Sequence, residues 1–419
     1  MKPFIAGLCA LIGTLAITLP SQAKSIPLDQ LIEPATLWKL EANSLREQFP
    51  DIAQDGYKLP VFEWLTEDKS RAIFKRTLSE KFSVDIELFG EDIEEAVVDF
   101  HKGKVDVITF SLYNRGDSSE MSTAEFGERY KATGRAVGQL LKSKPRTRKA
   151  SKTQGLPVEG YFWHSPHSIA LMQINAGGLK NANPEFMRLR MAKKSSESPL
   201  AAAMLNSRGG ASMRLTDLED KTTEDKDGNI WIQDVPMVDQ GAKGYCVVAT
   251  LQRLFEYYGI GVDMHQLAEL TGADPDAGTN TLTMTKTLDD IDYRFKTRLK
   301  VIGFANPSGN GLVEIEEEDG QFYAKDEVDF RKAMKQVQSA IDKGIPVIWS
   351  LILGRYPESP PLKEQTQGGH MRLIIGYNKD KDQIIFSDSW GAGHAFKTMN
   401  MQDAYKATQG LYTLTPTVR

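Results

Sequence analysis

Cysteine is nearly absent, with two residues in 419. One of them, Cys9, sits in an N-terminal apolar run, so no internal disulfide is available and stability has to come from ordinary hydrophobic cores. An excess of basic charge is also missing. Lys and Arg total 51 against 56 Asp and Glu, a net charge of −5. Nothing in that balance calls for nucleic acid or an anionic membrane surface as a partner. After residue 23 no stretch reaches the ~18 consecutive apolar residues of a membrane-spanning helix. Internal repeats and cofactor motifs are missing too. His164 and His167 flank Pro166 with no third ligand nearby, which reads as an exposed turn and not as a metal site. Asp225-Lys-Asp-Gly lacks the loop spacing and terminal Glu of a calcium-binding EF-hand loop and also reads as a turn.

What is present begins with an export signal. Lys2 supplies a short positive region, Phe4 to Leu19 an apolar run, and Ser21 and Ala23 the small residues for cleavage after Ala23. Cys9 would leave with this segment. Leu8 before it is unlike the small residue that lipid attachment requires. The mature chain is then expected outside the cytoplasm, periplasmic or secreted, with Cys246 as its one thiol. An unpaired cysteine in an oxidising compartment is a liability, which points to a chemical role for it.

The chain divides by composition. Residues 24–194 read as an α+β domain. A short helix lies around Leu37–Phe49, strands at Ala72–Phe74 and Val84–Phe89, and an amphipathic helix over Glu91–His101, with Ile93, Ala96, Val97 and Phe100 on one face. A strand follows over Val105–Tyr113. Ser122-Thr-Ala-Glu125 is a capping box opening the next helix. Lys142–Lys152 is a basic solvated connector, Gly160–Ala176 a hairpin and Phe186–Met191 a last strand. Residues 195–230 are polar and turn-rich and read as a linker. From Trp231 on, helices are expected after Cys246, after Asp263, around Thr285–Phe295 and over Val328–Lys343. Pro346–Leu353 is the continuous apolar run of a buried strand.

The chemistry concentrates in this second part. Cys246 stands where the glycine-bearing turn Gln240-Gly-Ala-Lys-Gly-Tyr245 gives way to helical periodicity through Tyr258. The partial positive charge of a helix N-terminus favours a thiolate there. His370 opens one arm of a hairpin and Asp388 closes the other, around the turn Asn378–Asp382. If Tyr377 faces Gln383, directly opposed residue numbers sum to 760, and His370 and Asp388 share a face at diagonal positions. The residue types then suggest roles. Cys246 would be the nucleophile, His370 its proton partner and Asp388 the group that orients the imidazole. The Gln240 amide, with the Cys246 N–H, would stabilise an oxyanion. Trp390 would shield the His–Asp bond, and Tyr245 would support the turn. His265 and His394 compete for the base position. His265 is expected to be exposed on its helix, and His394 to lie on the rim.

Gln240…Cys246, Gly369-His370 before an apolar strand, and Asp388-Ser-Trp390-Gly391 together resemble the catalytic signature of papain-like cysteine peptidases. Asp stands here in place of their Asn. With Gly-His-x-x-x-Ile-Ile-Gly-Tyr, the pattern is more similar to the bacterial peptidases that process bacteriocin leaders after double glycines. The resemblance covers roughly residues 231–419. It implies a helix bearing the cysteine packed on an antiparallel sheet bearing His and Asp, no cofactor, and a peptide or protein substrate. Tyr245-Cys246-Val247 departs from papain's small-residue-Cys-Trp core, and the membrane transporter to which the leader peptidases are usually fused is not expected within this sequence. Hydrolysis, amide transfer by the same residues, and a non-catalytic scaffold all remain open. So does the role of the first domain as accessory, substrate-presenting or propeptide unit.

Overall fold

The computed structural model describes residues 25–418 apart from 55, 80–81, 151–155, 181, 197, 199–200, 203–210, 242–243, 274–277, 279–280, 308, 310, 319–320 and 363–366. The segment read as an export signal and Gly209-Gly210 lie outside the described residues. The fold is α+β and is built on two large antiparallel sheets.

The first sheet has eight strands. Its middle is formed by Arg71–Lys75, Glu95–His101, Lys104–Asn114, Phe186–Lys193, Ser168–Asn175 and Val158–His164. Residues 91–101 are therefore not a helix. They form strands Glu91–Ile93 and Glu95–His101, the second with strict burial alternation. Ala96, Val98 and Phe100 point inward, so the operative period is two, and the paired valines favour the pleated conformation over a helix. The basic stretch after Lys142 carries the edge strand Arg146–Arg148. The helix Thr123–Leu140 opens with the expected capping box, in which Ser122 and Glu125 bond each other's backbone N–H.

Cross-strand register gives this sheet two unlike faces. On one, the row Phe74, Ala96, Phe110, Leu189, Met172, Tyr161 is part of an apolar core that includes Phe126, Tyr130 and Val137 of the capped helix. On the other, Lys75, Glu95, Ser111, Arg188, Gln173, Gly160 and Arg148 form a polar row, with Arg71 and Asp99 paired beside it. Such a face suits water. Here it is buried against the C-terminal half.

The contacts across that junction are led by buried ion pairs. Arg71 bonds Asp99 at 2.7 Å, Glu256 at 2.8 Å and the Met237 carbonyl at 3.1 Å. Arg188 pairs with Asp263, and Arg190 donates to the Gly261 carbonyl at 2.8 Å. Lys75 reaches Asp239 at 3.3 Å. Burial opposes ionisation of Asp263, yet the Arg188 guanidinium holds its carboxyl well below the usual range. Leu65, Ile73 and Met237 add a small apolar cluster.

The second sheet places Gly368–Asn378 among Val347–Leu353, Ile230–Ile232 and Gln383–Ser387, and continues through Thr408–Pro416 and Thr297–Ala305. The edge hairpin Leu312–Glu318 with Gln321–Val328 had no counterpart in the sequence reading. Part of the stretch read as linker joins this sheet: Thr222–Glu224 pairs with Ile230–Ile232, after the short helix Leu215–Glu219. The helix Cys246–Tyr257 packs on Gly368–Asn378, with Thr250 Oγ1 donating to the Met371 carbonyl at 3.1 Å. Among the described residues no helix is long and apolar enough to cross a membrane.

Candidate active site

Cys246 is the first residue of its helix, with Tyr245 as the N-cap residue. Tyr245 is buried and Cys246 partly buried. Helical spacing then sorts the side chains. Cys246, Thr250 and Arg253 fall on the face towards the sheet, while Gln252 and Glu256 turn towards the N-terminal sheet. Arg253 is fully buried. It donates to the Asp388 carbonyl at 2.8 Å, to Ser387 Oγ at 2.5 Å and to the Pro236 carbonyl at 2.6 Å. One guanidinium thus ties the cysteine helix to the returning strand.

Register brings His370 and Asp388 together. The strands pair Asn378 with Gln383 and Tyr377 with Ile384, one step from the expected alignment. An irregularity between Ile374 and Gly376 absorbs the extra residue, and Leu373 pairs with Ser387, where the numbers again sum to 760. Past that point Asp388 lies diagonal to His370. The imidazole Nε2 sits 2.7 Å from Asp388 Oδ1, and the Cys246 side chain is close enough to act on the charge of the ring. With Nε2 engaged, Nδ1 is the ring nitrogen left for sulfur. Burial disfavours charge on His370, but Asp388 and then Cys246 outweigh it and push the imidazole up to about 9. Burial also opposes ionisation of Asp388, but the charges of His370 and Arg372 hold its carboxyl far below the ordinary carboxylate range.

Gln240 is buried. Its Oε1 accepts from Ser389 Oγ at 2.7 Å, and its N–H donates to the Ser389 carbonyl at 2.9 Å. Asp239 and Trp390 form a bridge beside that pair, so the turn before Cys246 is stitched to Asp388-Ser-Trp-Gly. Acceptance at Oε1 fixes which end of the amide is the donor. The Trp390 ring stacks on His370 at 4.6 Å and 22°.

The competing histidines are placed elsewhere. His265 is buried and not exposed: Asn114 Nδ2 lies 3.2 Å from its Nε2, and Tyr245 stands edge-on at 6.1 Å. The end of an N-terminal strand covers its helix, which the C-terminal sequence by itself does not reveal. His394 stands edge-on to Trp390 at 5.5 Å, and its carbonyl accepts from Asp388 N at 2.9 Å. His164 ends a hairpin strand and is exposed. Among the described residues no group of three or more His, Cys, Asp or Glu side chains is arranged to hold a metal ion.

Sequence reading missed the group behind Asp388. Arg372 Nε lies 2.6 Å from Asp388 Oδ2. Its other nitrogens reach Glu358 at 2.7 and 3.3 Å, and Lys397 pairs with Glu358. A signal existed: 372 and 388 also sum to 760, the alignment kept by Leu373 and Ser387, so Arg372 falls opposite Asp388.

Residues 232–413 match the model of the "Peptidase_C39 like family", and this segment is C39-like peptidase in character. Among solved structures, one similar chain is xylellain, a cysteine protease from Xylella fastidiosa. It is 14% identical, with 51% of this chain and 92% of that chain covered and a TM-score of 0.28. No curated protein matches the chain.

Proposed function

We propose, taking the C39-like segment as premise, that this protein is an exported cysteine peptidase that hydrolyses peptide bonds through Cys246, His370 and Asp388. The observation that carries the reading is the buried imidazole held by Asp388 Oδ1 at 2.7 Å and near enough to Cys246 for the sulfur to act on its charge.

His370 takes the thiol proton of Cys246, leaving a thiolate beside the imidazolium. The thiolate attacks the substrate carbonyl carbon, and the C–O π pair moves onto oxygen. The Gln240 amide and the Cys246 N–H receive that oxyanion. Collapse re-forms the carbonyl and breaks the C–N bond as His370 gives its proton to the leaving amine. A thioester remains. Water then attacks it, His370 takes the water proton and returns it to sulfur, and the acid product departs. Asp388 keeps the imidazole oriented throughout.

The test is product analysis. Full-length protein incubated with a peptide mixture should yield new free carboxyl termini. With added glycinamide the products should remain acids. Glycinamide adducts in excess over acids would mean transfer in place of hydrolysis, and no new termini from any peptide would contradict the reading.

The pH dependence follows from His370. Its proton is needed for the leaving group, so kcat/KM should fall on the alkaline side around pH 9. The same shift has a stability sign. A folded value above the ordinary 6.5 means this contribution is complete below 6.5 and is lost as pH rises through about 9. Asp388 acts in the other direction: its contribution is present above 3.8 and is lost at lower pH. Urea unfolding at several pH values reads both limbs.

A further inference from the structure

The mechanism uses one oxygen of Asp388. The other is held in a chain of alternating charges that the chemistry above does not require. Arg372, Asp388, Glu358 and Lys397 have side chains at most 1% exposed. Each element supplies one link. Arg372 comes from the histidine strand, Glu358 from the loop after Val347–Leu353, and Lys397 from the strand Lys397–Asn400. Ser359 and Thr398 exchange two backbone hydrogen bonds of 2.8 and 2.9 Å and fix the Glu358 loop to the lysine strand. The Arg372 guanidinium lies 4.6 Å from the Phe386 ring centre and 5.7 Å from that of Trp390, the ring that stacks on His370.

Burying four charges is costly unless they balance. Two positive and two negative groups sum to zero, and the His370–Cys246 pair adds zero again. A plain hydrophobic floor would be cheaper, so the ladder calls for a reason. Geometry supplies one. Arg372 occupies Oδ2 of Asp388, and Ser389 N donates to Oδ1 at 2.9 Å beside His370. The carboxylate plane is then fixed with Oδ1 towards the imidazole. Unopposed, Arg372 would draw the carboxylate charge away from His370. Glu358 takes up most of that demand with two contacts, and Lys397 limits how much.

We infer that Glu358, Arg372 and Lys397 are positioning residues for the Cys246–His370 pair, a buried charge ladder that orients Asp388 and sets how firmly His370 holds its proton. The inference rests on the reading of His370 as proton carrier. The groups facing His370 are Asp388, Cys246 and the Trp390 ring, with Arg253 on the Asp388 carbonyl. The ladder touches His370 only through Asp388 and Trp390.

Opposite charges in the ladder must act with opposite sign. Glu358→Gln removes a negative charge and should lower the pH at which His370 titrates by about half to one unit. Lys397→Met removes a positive charge and should raise it by a similar amount. The readout is the imidazole nitrogen NMR signal of His370 in the full-length chain, assigned by its loss in His370→Gln; six histidines keep the spectrum sparse. Displacements in opposite directions support the ladder. Titration unmoved in both variants, or moved the same way in both, overturns it, because a merely structural role would lower stability without a charge-dependent sign. If Glu358→Gln does not fold, Lys397→Met decides alone: an upward shift supports, no shift or a downward one overturns. A wild-type His370 that titrates near 6.5 would instead overturn the functional reading itself.

Discussion

Replacing Cys246 with alanine should lower peptide hydrolysis by about 10⁴- to 10⁶-fold, the usual scale for removing a nucleophile that acts as one unit with its base. The fold should survive. Cys246 is partly buried at the first helical position, and alanine is the better helix former. Unfolding free energy should change by less than about 1 kcal/mol. That separation of activity from stability is what makes the variant informative. Asp388→Ala would not offer it, because it strands Arg372, fully buried, against the one remaining carboxylate, Glu358. Hydrolysis assays and urea unfolding on the same preparation check both halves. Full activity in Cys246→Ala would remove the nucleophile assignment.

The second large effect is expected at the junction of the two sheets. Arg71→Met keeps the apolar stem and leaves Asp99 and Glu256 buried beside each other without their shared cation. Breaking a buried pair from one side costs about 3–5 kcal/mol. The loss should depend on pH with a definite sign. Burial, opposed by Arg71 and reinforced by Glu256, already raises the Asp99 carboxyl to about 6. A folded value above 3.8 means that its contribution is complete below 3.8 and lost as pH rises through about 6. The Arg71→Met penalty should therefore be larger at pH 8 than at pH 5, as urea unfolding would show. The result bears on the N-terminal unit, which we propose is an accessory domain that stays docked and not a propeptide that is shed. Glu256 and Gln252 lie on the cysteine helix itself, with Gln252 Oε1 accepting from Met264 N at 2.9 Å. Loosening this junction should release that helix from one side. A variant as stable as wild type would mean the two sheets are not energetically coupled through Arg71.

Much of the C-terminal half was legible because its signals are local. The Cys246 helix, the Asp263 cap and the apolar Val347–Leu353 strand each announce themselves within a dozen residues. The hairpin was legible to within one residue of register, and the irregularity at Ile374 and Gly376 returned the alignment to the expected sum where it mattered. Arg372 falls within the same arithmetic, but a strand arginine ordinarily turns its head to water, so its position opposite Asp388 carries no catalytic signal by itself. Glu358 and Lys397 carry no comparable signal, because a loop acid and a strand lysine ordinarily face water. The docking of the two sheets was not legible either. Charges such as Arg71, Lys75, Glu95 and Asp99 ordinarily face water, and only the complementary Asp239, Glu256 and Asp263 of the distant segment show why this face is covered. For Glu91–His101, Ile93, Ala96, Val97 and Phe100 satisfy a helical period by coincidence, while sheet neighbours on both sides impose a period of two.

The most direct measurement is to trap the acyl-enzyme. Full-length protein mixed with an activated peptide ester, quenched in acid within the first turnover and digested for mass spectrometry, should carry the acyl group on Cys246. The adduct should disappear, or form far more slowly, when His370 is replaced by alanine. An acyl group found on another residue, or one that accumulates on Cys246 just as fast without the imidazole, would contradict the account.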